Sequence, residues 1–288
     1  MQPHSSTQPE TVAQALKQGI TQGLAPIDAQ LLLLHALNRT DAGRSWLLAH
    51  DDYILQAAEQ QRWQQLVQRR LQGEPVAYLR GWREFAGLRL AVDARVLDPR
   101  PDTETLLEWA LVLIPTLGAT PTVADLGTGS GALACALAHH APQARVWASD
   151  YSADALALAR HNAQSLQLPV QFAHGNWFEA FTNHSSSPRQ FDLLISNPPY
   201  IRQDDPHLQA LRHEPQQALA SGADGLDDIR TLIAQAPQWM RPGGWLLLEH
   251  GYDQAPAVQQ LLQKRGFLHV QGRQDLAGIV RCSGGQWP

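Results

Sequence analysis

The chain has 288 residues, of which 44% are hydrophobic and 17% charged, so it can bury a sizeable core and is not a disordered segment. That length suits one large domain with a smaller one beside it. A net charge of −5 and a pI near 6.2 speak against duplex nucleic acid as the main partner. Two cysteines, Cys135 and Cys282, cannot build a disulfide framework and suit a reducing cytoplasm. No aliphatic run approaches the roughly 18 residues of a bilayer span. The stretch MQPHSSTQPE has neither a basic start nor an apolar core, so neither a membrane anchor nor a secretory signal is expected.

Residues 1–72 read as a small helical bundle. Apolar side chains recur at helical spacing in Val12, Leu16, Ile20 and Leu24, then in Ile27, Leu31, Leu34 and Leu37. Pro26 and Asp28 suit the first turn of the second helix. Residues 54–71 are rich in Gln, Ala and Arg, with Leu55, Trp63, Leu66 and Leu71 for a buried stripe. Arg62, Arg69 and Arg70 read as a solvated helix face before a partner contact. Residues 73–98 read as a linking β-hairpin, with strands at 76–79 and 88–92 around turns at Gly81 and Gly87.

The third region is 99–288. Helical periodicity over 103–114 stops at Pro115, and Arg100 with Glu104 has the spacing of an i,i+4 pair. Beyond Pro121 strands and helices alternate. Strands are expected at 123–126, 145–148, 170–173, 191–195, 244–249, 267–270 and 278–282. Helices are expected at 132–139, 153–165, 226–239 and 255–264. Such repeated units predict an α/β, Rossmann-like fold: a mostly parallel sheet with helices on both faces. The serine run 185–187 reads as an exposed loop.

The first strand of this region hands over to a helix through Asp125-Leu126-Gly127-Thr128-Gly129-Ser130-Gly131. Glycines let the backbone turn sharply and approach a ligand, and the helix that follows offers free N–H groups. Asp150 closes the second strand, where a carboxylate can accept from both hydroxyls of a ribose. The pattern therefore fits a nucleoside-bearing cofactor. Gly127, Gly129 and Ala132 also satisfy the looser dinucleotide fingerprint. S-adenosylmethionine is favoured by Asp125, which would repel a pyrophosphate but attract an ammonium, and by the extra glycine at Gly131.

Asn197-Pro198-Pro199-Tyr200 follows the fourth strand directly. Two prolines end a strand well, yet that does not account for the flanking Asn and Tyr. The position is the carboxyl edge of the sheet, where open α/β sheets bind ligands. A planar –NH2 is a weak nucleophile because its lone pair is delocalised. The Asn197 side-chain oxygen and the Pro198 carbonyl can accept from its two N–H bonds, hold it in place and favour the positive charge that develops on attack. Tyr200 can stack on the substrate plane. Of the other candidates, His139 and His140 are adjacent and point to different faces, so no metal is expected. Cys135 reads as a small core residue, and Glu249 and His250 as structural or supporting groups at the cofactor edge.

With these motifs in place, the chain resembles the class I S-adenosylmethionine-dependent methyltransferases. More closely, it is similar to the bacterial peptide chain release factor glutamine N5-methyltransferases. The likeness runs through Gly73-Glu74-Pro75-Val76-Ala77-Tyr78, Glu84-Phe85, Pro99-Arg100-Pro101-Asp102-Thr103-Glu104 and Asn176-Trp177-Phe178. It continues in Pro206-His207-Leu208, Glu214-Pro215, Asp224-Gly225-Leu226 and Leu247-Leu248-Glu249-His250-Gly251. The resemblance implies a helical N-terminal domain that engages the release factor and a seven-stranded catalytic domain. It implies transfer of a methyl group to the glutamine of a Gly-Gly-Gln motif, with cofactor contacts from Asp125, Gly127, Thr128, Gly129, Ser130, Gly131, Asp150, Asn176, Trp177 and Asn197. Asn197, Pro198, Pro199 and Tyr200 would hold the substrate amide, with Asn197 and Pro198 catalytic. Class I release factors are then the expected protein partners of a cytoplasmic monomer that binds neither nucleic acid directly nor membrane. Two departures stand out. Asn176 occupies a position where the family often has Asp, and Asp98 precedes Pro99 where Ile or Val is common. The alternatives are methylation of a ribosomal protein glutamine, N6-adenine methylation, nicotinamide oxidoreduction and a non-catalytic binding module. Gly284-Gly285-Gln286 echoes the substrate motif and reads as a coincidence in a segment that needs glycine.

Overall fold

Five helices come first in the computed structural model, which describes residues 10–182, 184 and 186–288. They are α1 (Val12–Thr21), α2 (Pro26–Ala36), α3 (Gly43–Ala49), α4 (Ala57–Leu71) and α5 (Val76–Arg80). Thr11 starts α1 with a capping box: its hydroxyl accepts from Gln14 N, and Gln14 Oε1 accepts from Thr11 N at 2.9 Å. Pro26 preorganises the first turn of α2. Leu32, Leu33, Leu47, Trp63 and Val67 form one buried cluster, each large side chain contributing roughly 1.5–3 kcal/mol by leaving water. Gly19 lets Trp63 close in, since a Cβ there would lie 2.8 Å from the indole.

The strand expected at 76–79 is helical instead. Pro75 caps its start in extended conformation, and Gly81, at φ +77°, ends it in the left-handed region. Leu79 is buried in the cluster of α1–α4, which overrides the β-propensity of a Val-Ala-Tyr-Leu run. Described residues up to Gly81 thus form one unit, and those from Trp82 onward form a second.

The second unit opens with the hairpin β1 (Trp82–Phe85) and β2 (Leu88–Ala91). Its turn residues Ala86 and Gly87 both have positive φ, as a tight two-residue hairpin demands. Then come α6 (Glu104–Leu113), β3 (Thr122–Leu126), α7 (Ala132–His140), β4 (Arg145–Asp150) and α8 (Ala153–Ser165). After these follow β5 (Val170–His174), α9 (Glu179–Thr182), β6 (Phe191–Ser196), α10 (Asp227–Gln235), β7 (Met240–Glu249), α11 (Ala255–Arg265), β8 (Leu268–Gln274) and β9 (Val280–Gln286). The sheet has seven strands in the order β5-β4-β3-β6-β7-β9-β8, with only β9 antiparallel to its neighbours. The last strand starts later and runs further than the expected 278–282. It carries Gly284-Gly285-Gln286 between β7 and β8. A Cβ at Gly284 would lie 2.6 Å from Leu246 O, and Gln286 Nε2 donates to Gly243 O at 2.9 Å. These glycines are therefore needed for packing. Of the serine run, Ser185 lies outside the described residues, and Ser187 Oγ donates to the Phe181 carbonyl at 2.6 Å.

β3 and β6 lie side by side, while the chain leaves β3 toward β4 on one side and β6 toward β7 on the other. Their carboxyl ends therefore flank the switch point of the sheet, the crevice where α/β folds take ligands. Both strands are buried throughout.

Candidate active site

The glycine turn leaves β3 under tight backbone control. Gly127 N and Thr128 N both donate to Ser149 O, at 2.9 and 2.8 Å. Gly127, Gly129 and Gly131 have φ of 72°, 55° and 81°, a region that L side chains rarely enter. A Cβ on Gly127 would meet the Trp177 indole at 3.0 Å, and one on Gly131 would meet Ala159 Cβ at 3.1 Å. The first glycine thus admits the tryptophan, and the third brings α7 against α8.

A cavity of about 260 Å3 opens at this edge. Asp125, Gly127, Thr128, Gly129 and Ser130 line one side, with Asp150, Asn176 and Trp177 beside them. Asn197 and Pro199 join them from the end of β6. Gly131 is not among the lining residues. Pro198 is buried, and neither it nor Tyr200 is among the lining residues. Asn176 is exposed.

Two acceptors in this cavity have no partner in the protein. Asp125 is 1% exposed; its Oδ2 accepts from Thr128 Oγ1 at 2.5 Å, while Oδ1 has no hydrogen bond. Burial pushes its carboxyl up to about 7. Asn197 Nδ2 donates to Thr103 Oγ1 at 3.1 Å, and Asn197 Oδ1 is buried with no hydrogen bond. Such orphaned acceptors are costly unless a ligand satisfies them. Asp150 differs: Oδ2 accepts from Gly129 N and Oδ1 from Ser152 N, both at 2.8 Å. Each oxygen keeps a further lone pair, so the carboxylate holds the turn and can still receive hydroxyls. Burial raises the Asp150 carboxyl above its usual range. These groups fit S-adenosylmethionine: an unpaired carboxylate oxygen suits an ammonium, Asp150 suits a ribose and the Trp177 ring suits a flat base.

The expected Arg100–Glu104 pair does not form. Glu104 Oε1 accepts from Ala86 N at 3.2 Å, which clamps the hairpin turn. Arg100 Nη2 donates to Glu214 Oε1 at 2.6 Å and stands 3.6 Å from Asp98. Pro101 begins a 3-10 turn, Pro101–Thr103, so Arg100 lies before the helix and not on its face. The same network accounts for Asp98. Its carboxylate lies between Arg83, at 3.7 Å, and Arg100, while its N–H donates to Glu214. Burial nonetheless raises its pKa.

A model of the methyltransferase small domain matches residues 108–268, and a model of the PrmC N-terminal domain matches residues 11–81. The chain is 48% identical over 277 residues to a release factor glutamine methyltransferase of Xylella fastidiosa, covering 95% of this chain and 98% of that protein. A relative of the same name from Bordetella pertussis is 47% identical, over 91% of this chain and 95% of that one. The chain belongs to the release factor glutamine methyltransferase family. Solved structures share the fold at lower identity. A methyltransferase from Pyrococcus furiosus gives a TM-score of 0.51 at 17% identity, over 76% of this chain and 95% of that one. The N-terminal domain of human METTL16 in complex with SAH gives 0.52 at 15%, over 70% and 76%.

Sequence reasoning overlooked two side chains around this cavity, Asn162 and Thr103. Asn162 on α8 donates from Nδ2 to Ser130 O (2.9 Å) and Ala91 O (3.0 Å) and accepts from Ala91 N, which ties β2 to the glycine turn. Its one available signal was helical spacing, which puts Asn162 in step with Ala155, Leu158 and Ala159 on the buried face of α8. Thr103 lines the cavity, and its neighbourhood with Asn197 joins positions 94 residues apart. No spacing in the sequence announces that. Glu249 accepts from Tyr200 Oη at 3.2 Å, and burial pushes it up to about 7. His250 Nε2 pairs with Ser283 Oγ at 2.8 Å. Cys135 is fully buried, and burial pushes its thiol up to about 12. Among the described residues no cluster of His, Cys, Asp and Glu could hold a metal.

Proposed function

We propose that this chain methylates the side-chain amide nitrogen, N5, of the glutamine in the Gly-Gly-Gln motif of class I peptide chain release factors, with S-adenosylmethionine as cofactor, in support of translation termination. The observation that carries this reading is Asn197. It stands at the carboxyl end of β6 with its donor engaged by Thr103 and its acceptor buried and unpaired, on the wall shared with Asp125 and Asp150. When bound, the cofactor supplies a methyl group on positively charged sulfur, which is already an activated donor.

The protein's own task is then to hold and polarise the amide. Asn197 Oδ1 accepts one N–H of the substrate, and the Pro198 carbonyl accepts the other. As nitrogen attacks, it gains positive charge, and both acceptors interact more strongly with it in the transition state than in the ground state. Asp125 holds the cofactor ammonium, Asp150 the ribose hydroxyls, and Trp177 with Asn176 the adenine. Tyr200, the last residue of the tetrapeptide, is braced by its hydrogen bond to Glu249. The helical unit, which lies apart from every cofactor-binding candidate in the sequence, engages the release factor. No helix among the described residues is long and apolar enough to cross a membrane. The two free, buried cysteines suit a reducing cytoplasm, where the chain acts as a monomer.

Mass spectrometry of a release factor incubated with enzyme and isotope-labelled S-adenosylmethionine tests this. One labelled methyl is expected on the Gly-Gly-Gln glutamine. A release factor left unmodified, with label on a ribosomal protein or on adenine instead, would overturn it.

A further inference from the structure

The Asn197 amide is held from behind by one hydroxyl. Asn197 Nδ2 donates to Thr103 Oγ1 at 3.1 Å. Thr103 is 4% exposed and closes the 3-10 turn ahead of α6. A threonine hydroxyl has one proton to give and lone pairs to receive. Here its lone pair takes the Asn197 N–H, which leaves Asn197 Oδ1 buried and unpaired.

That direction decides what the site presents. With Nδ2 held by Thr103, Asn197 must offer Oδ1 to the cavity. A flipped amide would turn Nδ2 to the cavity and aim two donors at a substrate that itself brings N–H bonds. Asparagine alone has no preference between the two, since its ends are nearly equal in size.

We propose that Thr103 is a positioning residue that holds the Asn197 amide by its nitrogen, with its oxygen toward the methyl-accepting nitrogen. The inference rests on the reading of Asn197 as the acceptor for the substrate amide. Thr103 makes no bond in the reaction and acts through Asn197.

Single-turnover methylation of a release factor by the full-length chain tests it with four variants. Thr103→Val keeps the shape and removes the hydroxyl; its rate is expected to fall about tenfold, the cost of a lost orienting hydrogen bond. Cofactor affinity and KM for the release factor should stay within about twofold, because no binding group is lost. Thr103→Ser restores the hydroxyl and should recover most of the rate. Thr103→Ala removes the hydroxyl without a methyl group against Asn197, and it stands in if the valine variant is misfolded. The fourth variant adds Thr103→Val to Asn197→Ala, where it should cost nothing further, because the group through which it acts is gone. The proposal is overturned by a parental rate in Thr103→Val and Thr103→Ala, by a serine variant as slow as the valine one, or by the same loss in the Asn197→Ala background. The parent enzyme is run alongside. If it leaves the release-factor glutamine unmethylated, the proposed function fails and this inference with it; if it methylates normally while the Thr103 variants do too, only the inference fails.

Discussion

The first unit and the cavity of the second both place charged or amide side chains near a protein surface, and they treat them in opposite ways. In the first unit every arginine of the α4 cluster is satisfied internally. Arg62 Nε donates to Ala36 O at 2.9 Å, Arg69 pairs with Glu74, and Arg70 Nε donates to Asp28 at 2.8 Å. In the cavity, Asp125 and Asn197 each keep a buried oxygen without a partner. An unpaired buried acceptor costs roughly 1–3 kcal/mol, and a ligand that supplies a donor removes that cost. In this cavity an unpaired acceptor marks where a ligand's donor can bind, whereas the α4 arginines mark a surface that pairs within its own unit.

Removing the unpaired acceptor should have the largest effect. Asn197→Ala is expected to lower single-turnover methylation by about 10²- to 10³-fold, the usual cost of losing one transition-state hydrogen-bond partner. Cofactor affinity should hardly change. Asn197→Asp keeps an acceptor and should retain part of the rate. A parental rate in the alanine variant would remove Asn197 from the chemistry.

Asp150 comes next, because it is an acceptor already half engaged. Asp150→Ala strips the proposed ribose acceptors and also frees Gly129 N and Ser152 N. Hydrogen bonds to charged groups contribute about 1.5–3 kcal/mol each, so cofactor binding should weaken by at least about tenfold in calorimetry. Unchanged affinity would end the ribose assignment and leave Asp150 as a brace for the turn.

The two regions also differ in how far the sequence discloses them. Periodicity alone recovers α1, α2 and α4, and the alternation after Pro121 recovers all seven strands of the sheet, since apolar spacing is a local property. Asp125, Gly127, Asp150, Trp177 and Asn197 are legible because glycines and prolines punctuate the strand ends where they sit. What stays hidden is set by pairing across long separations. Arg100 bonds Glu214, 114 positions away, and not Glu104. Thr103 reaches Asn197, and Asn162 reaches Ser130. The helix at 76–79 is missed for a related reason: burial of Leu79 outweighs local propensity.

The unpaired oxygen of Asp125 gives a pH signature that the satisfied arginines lack. Its carboxyl is raised from 3.8 to about 7 by burial, so the folded chain holds a proton that the unfolded chain releases across that window. Without cofactor, its contribution to stability therefore falls as pH rises from about 4 to about 7. Cofactor binding runs the other way. Only the ionised carboxylate attracts an ammonium, so affinity should drop as pH falls below about 7, approaching tenfold per pH unit. Asp125→Asn should flatten that dependence in isothermal titration. A wild-type slope that survives in the asparagine variant would place the titrating group elsewhere.

The smallest effect belongs to the arginines, and it is the sharpest check on the comparison. Arg69 and Glu74 form a pair in which the arginine is 53% exposed, and Arg70 with Asp28 is only partly covered. Pairs of this kind contribute about 0–1 kcal/mol, so Arg69→Ala and Arg70→Ala should each lower Tm by a few degrees at most. High salt should shrink even that difference, because exposed charges are screened over about 10 Å at 0.1 M. If these guanidinium groups serve only the helical unit, single-turnover methylation of an intact release factor should stay within about twofold of the parent. A tenfold rise in KM for the release factor, with Tm and cofactor affinity preserved, would mean that the internally paired surface is also the one that reads the protein substrate. The division between satisfied charge and unsatisfied acceptor would then no longer separate scaffold from function in this chain.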